Sequence, residues 1–202
     1  MMTMQAKARV RMDPEERRTL LLKSAREVFA VKGYASSGLS EIADTSDVSK
    51  TLLYHYYPEG RPELYAAVMD DIATELISRV RNANQTNIAA SKKLAKLVET
   101  FVNFFDDHRD GFRLLFREPW GSGEESLIIR AIAVQVQVAN ELIQPLASSG
   151  ATSDNLLIAT SGAIGMLLHT TELWLSGQME KEHVISSTST LLEFGMSGLG
   201  VI

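Results

Sequence analysis

The chain has 202 residues, of which 45% are hydrophobic and 22% are charged, as in ordinary globular proteins, and its net charge is −5. It contains no cysteine, which excludes disulfides, thiolate chemistry and cysteine zinc sites. No apolar run approaches the ~20 residues that a membrane span needs, and the basic start MMTMQAKARVRM lacks the apolar region of a signal peptide. We therefore expect a cytoplasmic protein with no membrane partner.

The charge is unevenly distributed along the chain. Up to Arg61, ten lysines and arginines face eight acidic residues, a net charge of +2, whereas the remainder carries −7. A slightly basic head on an acidic body indicates a polyanionic partner for the head alone, although solvated surfaces also scatter charge by chance.

The first sixty residues predict three helices. Asp13 as a cap, Pro14 at the first position and two acids in the first turn are typical of a helix start, and Gly33 is a candidate left-handed C-cap. Two very short helices follow, joined by a turn at Ser46-Asp47. Ser49 opens the second of them, which has the leucine pair of DVSKTLLYHYYP as its anchors.

The remaining residues predict further helices, and no alternation of period two is seen. A long helix starts at Pro62, another opens at Ser91, and a short apolar segment, GFRLLFRE, precedes a predicted loop at PWGSG. The later helices are expected near 124–147 (interrupted by Pro145), from the Ser153-Asp154 cap to Trp174, and near 180–194. The predicted fold class is all-α.

Two short helices joined by a tight turn match the helix-turn-helix plan, in which the third helix lies in the DNA major groove. Leu52, Leu53 and Tyr57 can then face a small core. Lysine, hydroxyl and imidazole groups would be left on the outer surface, where they suit phosphate and base-edge contacts. The alternative is that the Tyr-His-Tyr-Tyr run lies at the boundary between surface and core, with its polar groups hydrogen-bonded only to water.

The segment VFAVKGYASSGLSEIADTSDVSKTLLYHYYP resembles the N-terminal DNA-binding domain of the tetracycline-repressor (TetR) family of bacterial transcription regulators. The resemblance covers roughly Arg17 to Leu64. It implies that Lys50, Thr51, Tyr54 and His55 approach bases or phosphates, that Tyr56 binds a phosphate, and that Ser37 and Ser40 meet the opposite groove wall.

This sequence departs from the family pattern at three places. Asp47 stands where the family has glycine in the turn, tolerating left-handed geometry but adding negative charge near DNA. Gly38 takes the place of a Ser/Thr cap, so Ser37 is expected to cap instead. The family's lysine at the start of the fourth helix is absent, and Arg61 in PEGRPEL is the expected substitute for its DNA contact.

No motif in the second part of the chain indicates a catalytic or metal site. The four histidines show no metal-ligand spacing, and no cofactor is expected. The aromatic and polarizable residues there are most simply core, but the resemblance implies a mostly apolar ligand pocket. The candidate lining residues are Phe105, Phe112, Phe116, Trp120, Met166, His169 and Trp174.

The resemblance also implies that the last two long helices form a homodimer surface, where Ser161, Gly162, Ala163 and Gly165 would allow close approach. A dimer suits the DNA interpretation because two recognition helices can read the half-sites of a palindrome. We expect a basic arm and helix-turn-helix domain at 1–61 and a ligand-binding and dimerisation domain at 62–202. The expected function is a ligand-responsive repressor released from its operator by a small apolar or aromatic molecule.

Two other interpretations remain open at this point. The chain could be a small-molecule binding protein whose head contacts another protein and not DNA. It could also be an all-helical enzyme, but the sequence offers no paired nucleophile and base and no metal-ligand spacing.

Overall fold

The computed structural model describes residues 13–85, 88–143, 146–148 and 150–202, and within these ranges it contains helices and no strand. The helices are α1 (Pro14–Ser36), α2 (Leu39–Thr45), α3 (Lys50–Tyr56), α4 (Arg61–Asn84), α5 (Ala90–Asp107), α6 (Arg109–Phe116), α7 (Glu118–Gly121), α8 (Glu125–Ile143), α9 (Ser153–Leu175) and α10 (Lys181–Gly198). The all-α prediction is confirmed. The basic arm before Asp13 and the interruption at Pro145 lie outside the described residues.

Local capping sets both ends of α1. The Asp13 carboxylate accepts a hydrogen bond from the Glu15 amide at 2.8 Å, and Glu16 accepts one from the Asp13 amide, completing a capping box. Gly33 breaks the regular helix with φ 75° and ψ 170°, an extended conformation at positive φ that glycine adopts without strain. The predicted start is therefore confirmed, and the helix resumes for one turn beyond the predicted end.

Contacts between residues divide the chain into two compact units, with the division between Tyr65 and Ala66 inside α4. The first unit has an aromatic core in which the Tyr65 ring meets Phe29 edge-on at 4.8 Å and Tyr34 at 5.1 Å between centroids. Ile42 and Leu53 are fully buried beside it. These residues fix α2 and α3 onto α1, because each short helix has little stability of its own.

The second unit is built on the contacts of α8 with α9, α9 with α10, and α10 with α5. Rings of α5 and α6 form an edge-to-face cluster in its core, with Phe105 lying 5.3 Å from Phe112 and 5.9 Å from Phe116. Such pairs add about 0.5–1.5 kcal/mol beyond their burial, so this cluster helps to hold α6 against α5.

Two local predictions in the second unit are wrong. The segment predicted as a loop forms the single helical turn of α7, whose Pro119 sits at a first-turn position that tolerates proline. The cap of α9 is Thr152 and not the Ser153-Asp154 pair, because the Thr152 hydroxyl accepts the hydrogen bond from the Asn155 amide.

Helices α8 and α9 are long and apolar enough to cross a membrane by length and composition alone, with mean hydropathy 1.4 and 1.3 over their most apolar stretches. On this measure the expectation that no stretch approaches a membrane span is wrong. Core helices of soluble proteins share this composition. Here 39% and 33% of the two stretches is buried, so both helices also expose apolar side chains, such as Val136 on α8 and Leu157 on α9.

Candidate nucleic-acid interface and effector cavity

The turn between α2 and α3 depends on a left-handed residue. Asp47 has φ 50°, and the next amide, that of Val48, donates back to the Ala43 carbonyl at 3.0 Å. The buried Ser46 hydroxyl donates to the Ile42 carbonyl at 2.7 Å. Asp47 therefore adopts the geometry that glycine would adopt, as predicted, and it holds a carboxylate beside the first turn of α3.

Helix α3 has a buried side and an exposed side. Ser49 caps it by accepting a hydrogen bond from the Leu52 amide at 3.2 Å, while Leu53 and Tyr57 are buried. At ~100° per residue, positions 50, 51, 54 and 55 fall within an arc of roughly 140° that does not include Leu53. The side chains on this arc, Lys50, Thr51, Tyr54 and His55, are all exposed.

The tyrosines of α3 are held by neighbouring groups. The Tyr54 ring lies over Gly60, where an added Cβ would come within 3.4 Å of the ring, so its 42% exposed side chain has a fixed direction. Tyr56 is half-buried and meets the His55 ring edge-on at 5.6 Å between centroids. Ser40, in the first turn of α2, is exposed. These residues keep their predicted positions on the outer surface of the first unit.

Ser37 does not keep its predicted position on that surface. It is 2% exposed, and its hydroxyl donates to the Gly33 carbonyl at 2.6 Å. The N-cap of α2 is Gly38, which has no side chain, so Ser37 does not cap that helix either. The prediction of a DNA contact through the Ser37 side chain is wrong in this structure, because that hydroxyl closes the carbonyl left open by the break at Gly33.

Arg61 is likewise engaged within the protein. Its guanidinium donates to the carbonyls of Ala35 at 3.0 Å and Ser37 at 3.4 Å, and lies 4.3 Å from the centre of the Tyr34 ring. A cation over an aromatic face that also binds helix-terminal carbonyls stabilises the α1–α2 connection. The expectation that Arg61 substitutes for a phosphate-binding lysine stays a prediction, and in this structure Nη1 of the guanidinium makes these contacts within the protein.

In the second unit, several predicted ligand residues meet around one cavity of about 260 Å³. Its lining consists of Phe112, Phe116, Arg117, Trp120, Gln135, Gly165, Leu168, His169 and Glu172. The two phenyl rings are buried and form its apolar wall, whereas Trp120, 53% exposed, and the exposed His169 lie at its solvent side. Aromatic walls with a few polar groups are typical of small-molecule sites.

Three predicted ligand residues lie elsewhere. Phe105 is behind the cavity, in contact with the two phenyl rings and not part of the lining. Met166 lines a separate groove between α9 and α10, and the buried Trp174 packs under the Arg109 guanidinium at 5.2 Å. These three residues are therefore not among those that line the cavity.

Sequence reasoning missed the charged pair of the cavity. Arg117, between α6 and α7, forms an ion pair with Glu172 on α9, and both side chains line the cavity and are partly exposed. No motif marks either residue, and only the approach of α9 to the α6–α7 connection brings them together. Because a partly exposed ion pair is weak, the Arg117 guanidinium and the Glu172 carboxylate can exchange each other for a polar group of a ligand.

Helix α9 presents different sides to α8 and α10. Gly162 and Ile158 line the α10 groove, whereas Ser161 lines a groove beside α8, Gly165 lines the cavity and Ala163 is 1% exposed. The four small residues predicted as one close-approach surface thus do not share one face. In the ranges that the structure describes, no group of three His, Asp or Glu side chains could hold a metal ion.

Comparisons with known proteins agree with this geometry. Residues 21–68 match the model of the family described as bacterial regulatory proteins, tetR family, and this stretch contains the helix-turn-helix. The HTH-type transcriptional activator FasR from Mycolicibacterium smegmatis is 29% identical over 193 residues, covering 94% of this chain and 85% of that protein.

Two solved structures share the fold over most of the chain. A TetR-family transcriptional regulator from Streptomyces coelicolor has a TM-score of 0.76 at 22% identity, covering 93% of this chain and 83% of that one. The transcriptional regulator FadR from Bacillus subtilis, solved in complex with stearoyl-CoA, has a TM-score of 0.72 at 17% identity, covering 91% and 99%. These relatives are transcription regulators, and the helix-turn-helix segment of this chain is similar to that of the tetR family of bacterial regulatory proteins.

Proposed function

We propose that the protein is a ligand-responsive homodimeric repressor that binds a palindromic operator in the cytoplasm and leaves it when a small, mostly apolar molecule occupies the cavity. The observation that carries this proposal is that α3 exposes lysine, hydroxyl and imidazole groups while the buried Leu53 anchors the same helix in the core of the first unit. The proposal requires no membrane and no cofactor. The DNA-contact residues that we propose are Ser40, Lys50, Thr51, Tyr54, His55 and Tyr56.

The size of the recognition helix supports a dimer. Its seven residues extend only ~10 Å at 1.5 Å per residue, which reaches too few base pairs for a specific site. Two copies related by a two-fold axis would place their recognition helices ~34–36 Å apart, in successive major grooves. We therefore propose that an operator half-site is bound by each subunit.

The exposed side of α9 and α10 supports the location of the dimer contact. Ile158 on α9 and Leu191 and Phe194 on α10 are 59%, 57% and 73% exposed, and the glycines Gly162 and Gly195 lie between them in the groove. Exposed apolar patches of this kind are typical of protein–protein interfaces. The proposed dimer buries this patch in a joint of four helices, two from each subunit.

We propose that the effector acts through α4, which starts beside α3 and continues into the second unit. The ligand would favour a conformation of the body that changes the separation of the two recognition helices. Since both conformations pre-exist, the ligand acts only through its preference for one of them, and nearly complete switching needs about 5.5 kcal/mol. The relative solved with stearoyl-CoA supports small-molecule control.

The name of the M. smegmatis relative favours a second candidate, a transcriptional activator. Both candidates need the same DNA surface and differ in whether the bound dimer blocks or assists transcription. In vitro transcription from a promoter that carries the selected site distinguishes them. Fewer transcripts with added protein support the repressor, and more transcripts support the activator.

Selection of bound sequences from a random duplex pool tests the DNA proposal. We expect an inverted repeat whose complex weakens steeply as salt rises, because lysine and polar contacts to phosphates release counterions. If no palindrome is enriched while a folded dimer is present, the head serves another partner, and binding of a protein would then be the better interpretation.

A further inference from the structure

We infer that the effector is a compact aromatic carboxylate, whose ring lies against the phenyl wall of the cavity and whose carboxylate replaces Glu172 on the Arg117 guanidinium. The inference rests on the proposed effector cavity and extends it by naming the chemical class of the ligand. It is carried by two features of the lining residues: the aromatic character of one side of the cavity and the hydrogen-bonding character of the other.

The buried side of the cavity is a wall of aromatic rings. Phe112 and Phe116 line it, and their rings meet edge-on at 5.6 Å between centroids. Phe105 contacts both rings from behind, and the Trp120 indole lies at the solvent side of the same space. A flat aromatic ligand would extend this edge-to-face arrangement. A saturated ring or an alkyl chain would not, because aromatic pairs attract each other beyond the effect of burial.

The polar side chains that line the cavity offer more hydrogen-bond donors than acceptors. A guanidinium and an indole can only donate, so Arg117 and Trp120 supply donors alone, whereas Gln135 and His169 can each donate and accept. Among the described residues that line the cavity, only Glu172 is a charged acceptor, and it forms an ion pair with Arg117. A ligand that meets this side of the cavity is therefore best matched when it brings acceptor oxygens.

A ligand carboxylate can compete with Glu172 for the guanidinium. The Arg117 and Glu172 side chains are 49% and 35% exposed, so solvent screens their attraction and the pair is weak. A carboxylate on the ligand offers the same two oxygens in the planar geometry that arginine binds bidentately, and its ring is buried at the same time. Because Arg117 lies between α6 and α7 while Glu172 lies on α9, the exchange would also release this contact between α9 and the α6–α7 connection.

The size of the cavity and its charges favour a small anion over the alternatives. Ligand pockets usually enclose roughly 300–1,000 Å³, and this cavity, at about 260 Å³, suits a ligand of one or two rings. A cationic ligand is the competing class, because aromatic faces and the Glu172 carboxylate also suit an ammonium group. It is matched less well, since Glu172 would have to leave Arg117 in order to bind it.

Four probes separate the contribution of the ring from that of the carboxylate. 2-Naphthoate carries both, 2-naphthamide keeps the ring without the charge, decalin-2-carboxylate keeps the charge on a saturated ring, and 2-naphthylmethylamine carries the opposite charge. Titration calorimetry on the full chain gives the affinities. We expect 2-naphthoate to bind roughly tenfold more tightly than 2-naphthamide, because hydrogen bonds to charged groups are the stronger ones. We expect it to bind several-fold more tightly than decalin-2-carboxylate, and the amine to bind most weakly.

Two variants of the ion pair test which group receives the carboxylate. Arg117→Met removes the guanidinium, so it should bind 2-naphthoate no more tightly than 2-naphthamide. Glu172→Gln removes the competing charge at nearly the same shape, so it should tighten the binding of 2-naphthoate several-fold and leave that of 2-naphthamide unchanged. Arg130→Met is the matched control, because Arg130 also forms a partly exposed ion pair, with Asp70, but does not line the cavity. It should bind all four probes like the wild type.

The inference is overturned if 2-naphthoate binds no more tightly than its amide, if the saturated acid or the amine matches it, or if no probe binds. It is also overturned if Glu172→Gln changes the affinities for the acid and the amide alike, since a merely structural ion pair would act on both. This second variant keeps the test decisive if Arg117→Met does not fold. Selection of an operator in the absence of probe is unaffected by these outcomes, so failure of the ligand class is distinguishable from failure of the DNA proposal.

Discussion

Asp47 places a negative charge in the turn that leads into the recognition helix, close to where we propose that phosphates bind. An asparagine at this position would keep the left-handed backbone, because asparagine tolerates that conformation as well as aspartate does. We predict that Asp47→Asn tightens binding to random duplex DNA several-fold and steepens its dependence on salt. Fluorescence anisotropy at several salt concentrations measures both quantities. Asp44→Asn, on the exposed side of α2, is the control for the loss of one carboxylate.

Arg61 illustrates a residue whose role depends on tertiary contacts. We predict that Arg61→Met lowers the free energy of unfolding by about 1–2 kcal/mol, because the Ala35 and Ser37 carbonyls lose a charged donor. Chemical denaturation measures the change, with Lys23→Met on the exposed side of α1 as the control. Unchanged stability of Arg61→Met would show that the guanidinium contact contributes nothing to the fold.

At the scale of elements, an ion-pair cluster joins α4 to the end of α5. The Arg79 guanidinium contacts Glu75 and Asp107 at 2.7 Å each, and His108 Nε2 lies 3.2 Å from Glu75 Oε1. Desolvation alone would raise the pKa of Glu75, but the hydrogen bond from Arg79 and the charges of His108 and Arg79 outweigh it, and the pKa is lowered from 4.5. The ionised carboxylate is therefore favoured in the folded state.

This cluster predicts a dependence of stability on pH. Since the folded pKa of Glu75 lies below the unfolded value, its contribution is present above pH 4.5 and is lost as the pH falls through the folded pKa. We predict that Glu75→Gln costs about 0.2–1 kcal/mol near neutral pH, the scale of a partly exposed pair, and that the difference from wild type shrinks in acid. Denaturant unfolding across this range measures it, with Glu193→Gln on α10 as the matched control. A difference that grows in acid would contradict the assigned direction.

The elements that could be predicted from sequence are those set by local signals. The Asp13 capping box and the Ser49 cap each act within one helical turn. The apolar spacing of α3 predicts that Leu53 is buried, whichever helix packs against it. The helical turn of α7 was hidden because proline and glycine at 118–121 are equally typical of loops. Such ambiguity is decided by what the segment packs against.

At the scale of the whole molecule, the exposure of the residues that we propose for DNA contact could be predicted, and the residues that line the cavity could be predicted only in part. Trp120 and His169, which the resemblance made candidates, do line the cavity. Arg117 and Glu172 were not, since they come from separate elements and only the packing of α9 brings them together. The prediction that the Ser37 side chain contacts DNA was wrong for the same reason, because its burial depends on the break in α1 at Gly33.

The central claim is that the outer arc of α3 binds one half of a two-fold symmetric DNA site. The most direct test is the affinity of Tyr54→Ala and His55→Ala for the selected duplex, measured beside His183→Ala on the exposed side of α10. We predict that each α3 variant stays folded and dimeric and binds at least tenfold more weakly, while His183→Ala binds like the wild type. Wild-type affinity in both α3 variants would contradict the account.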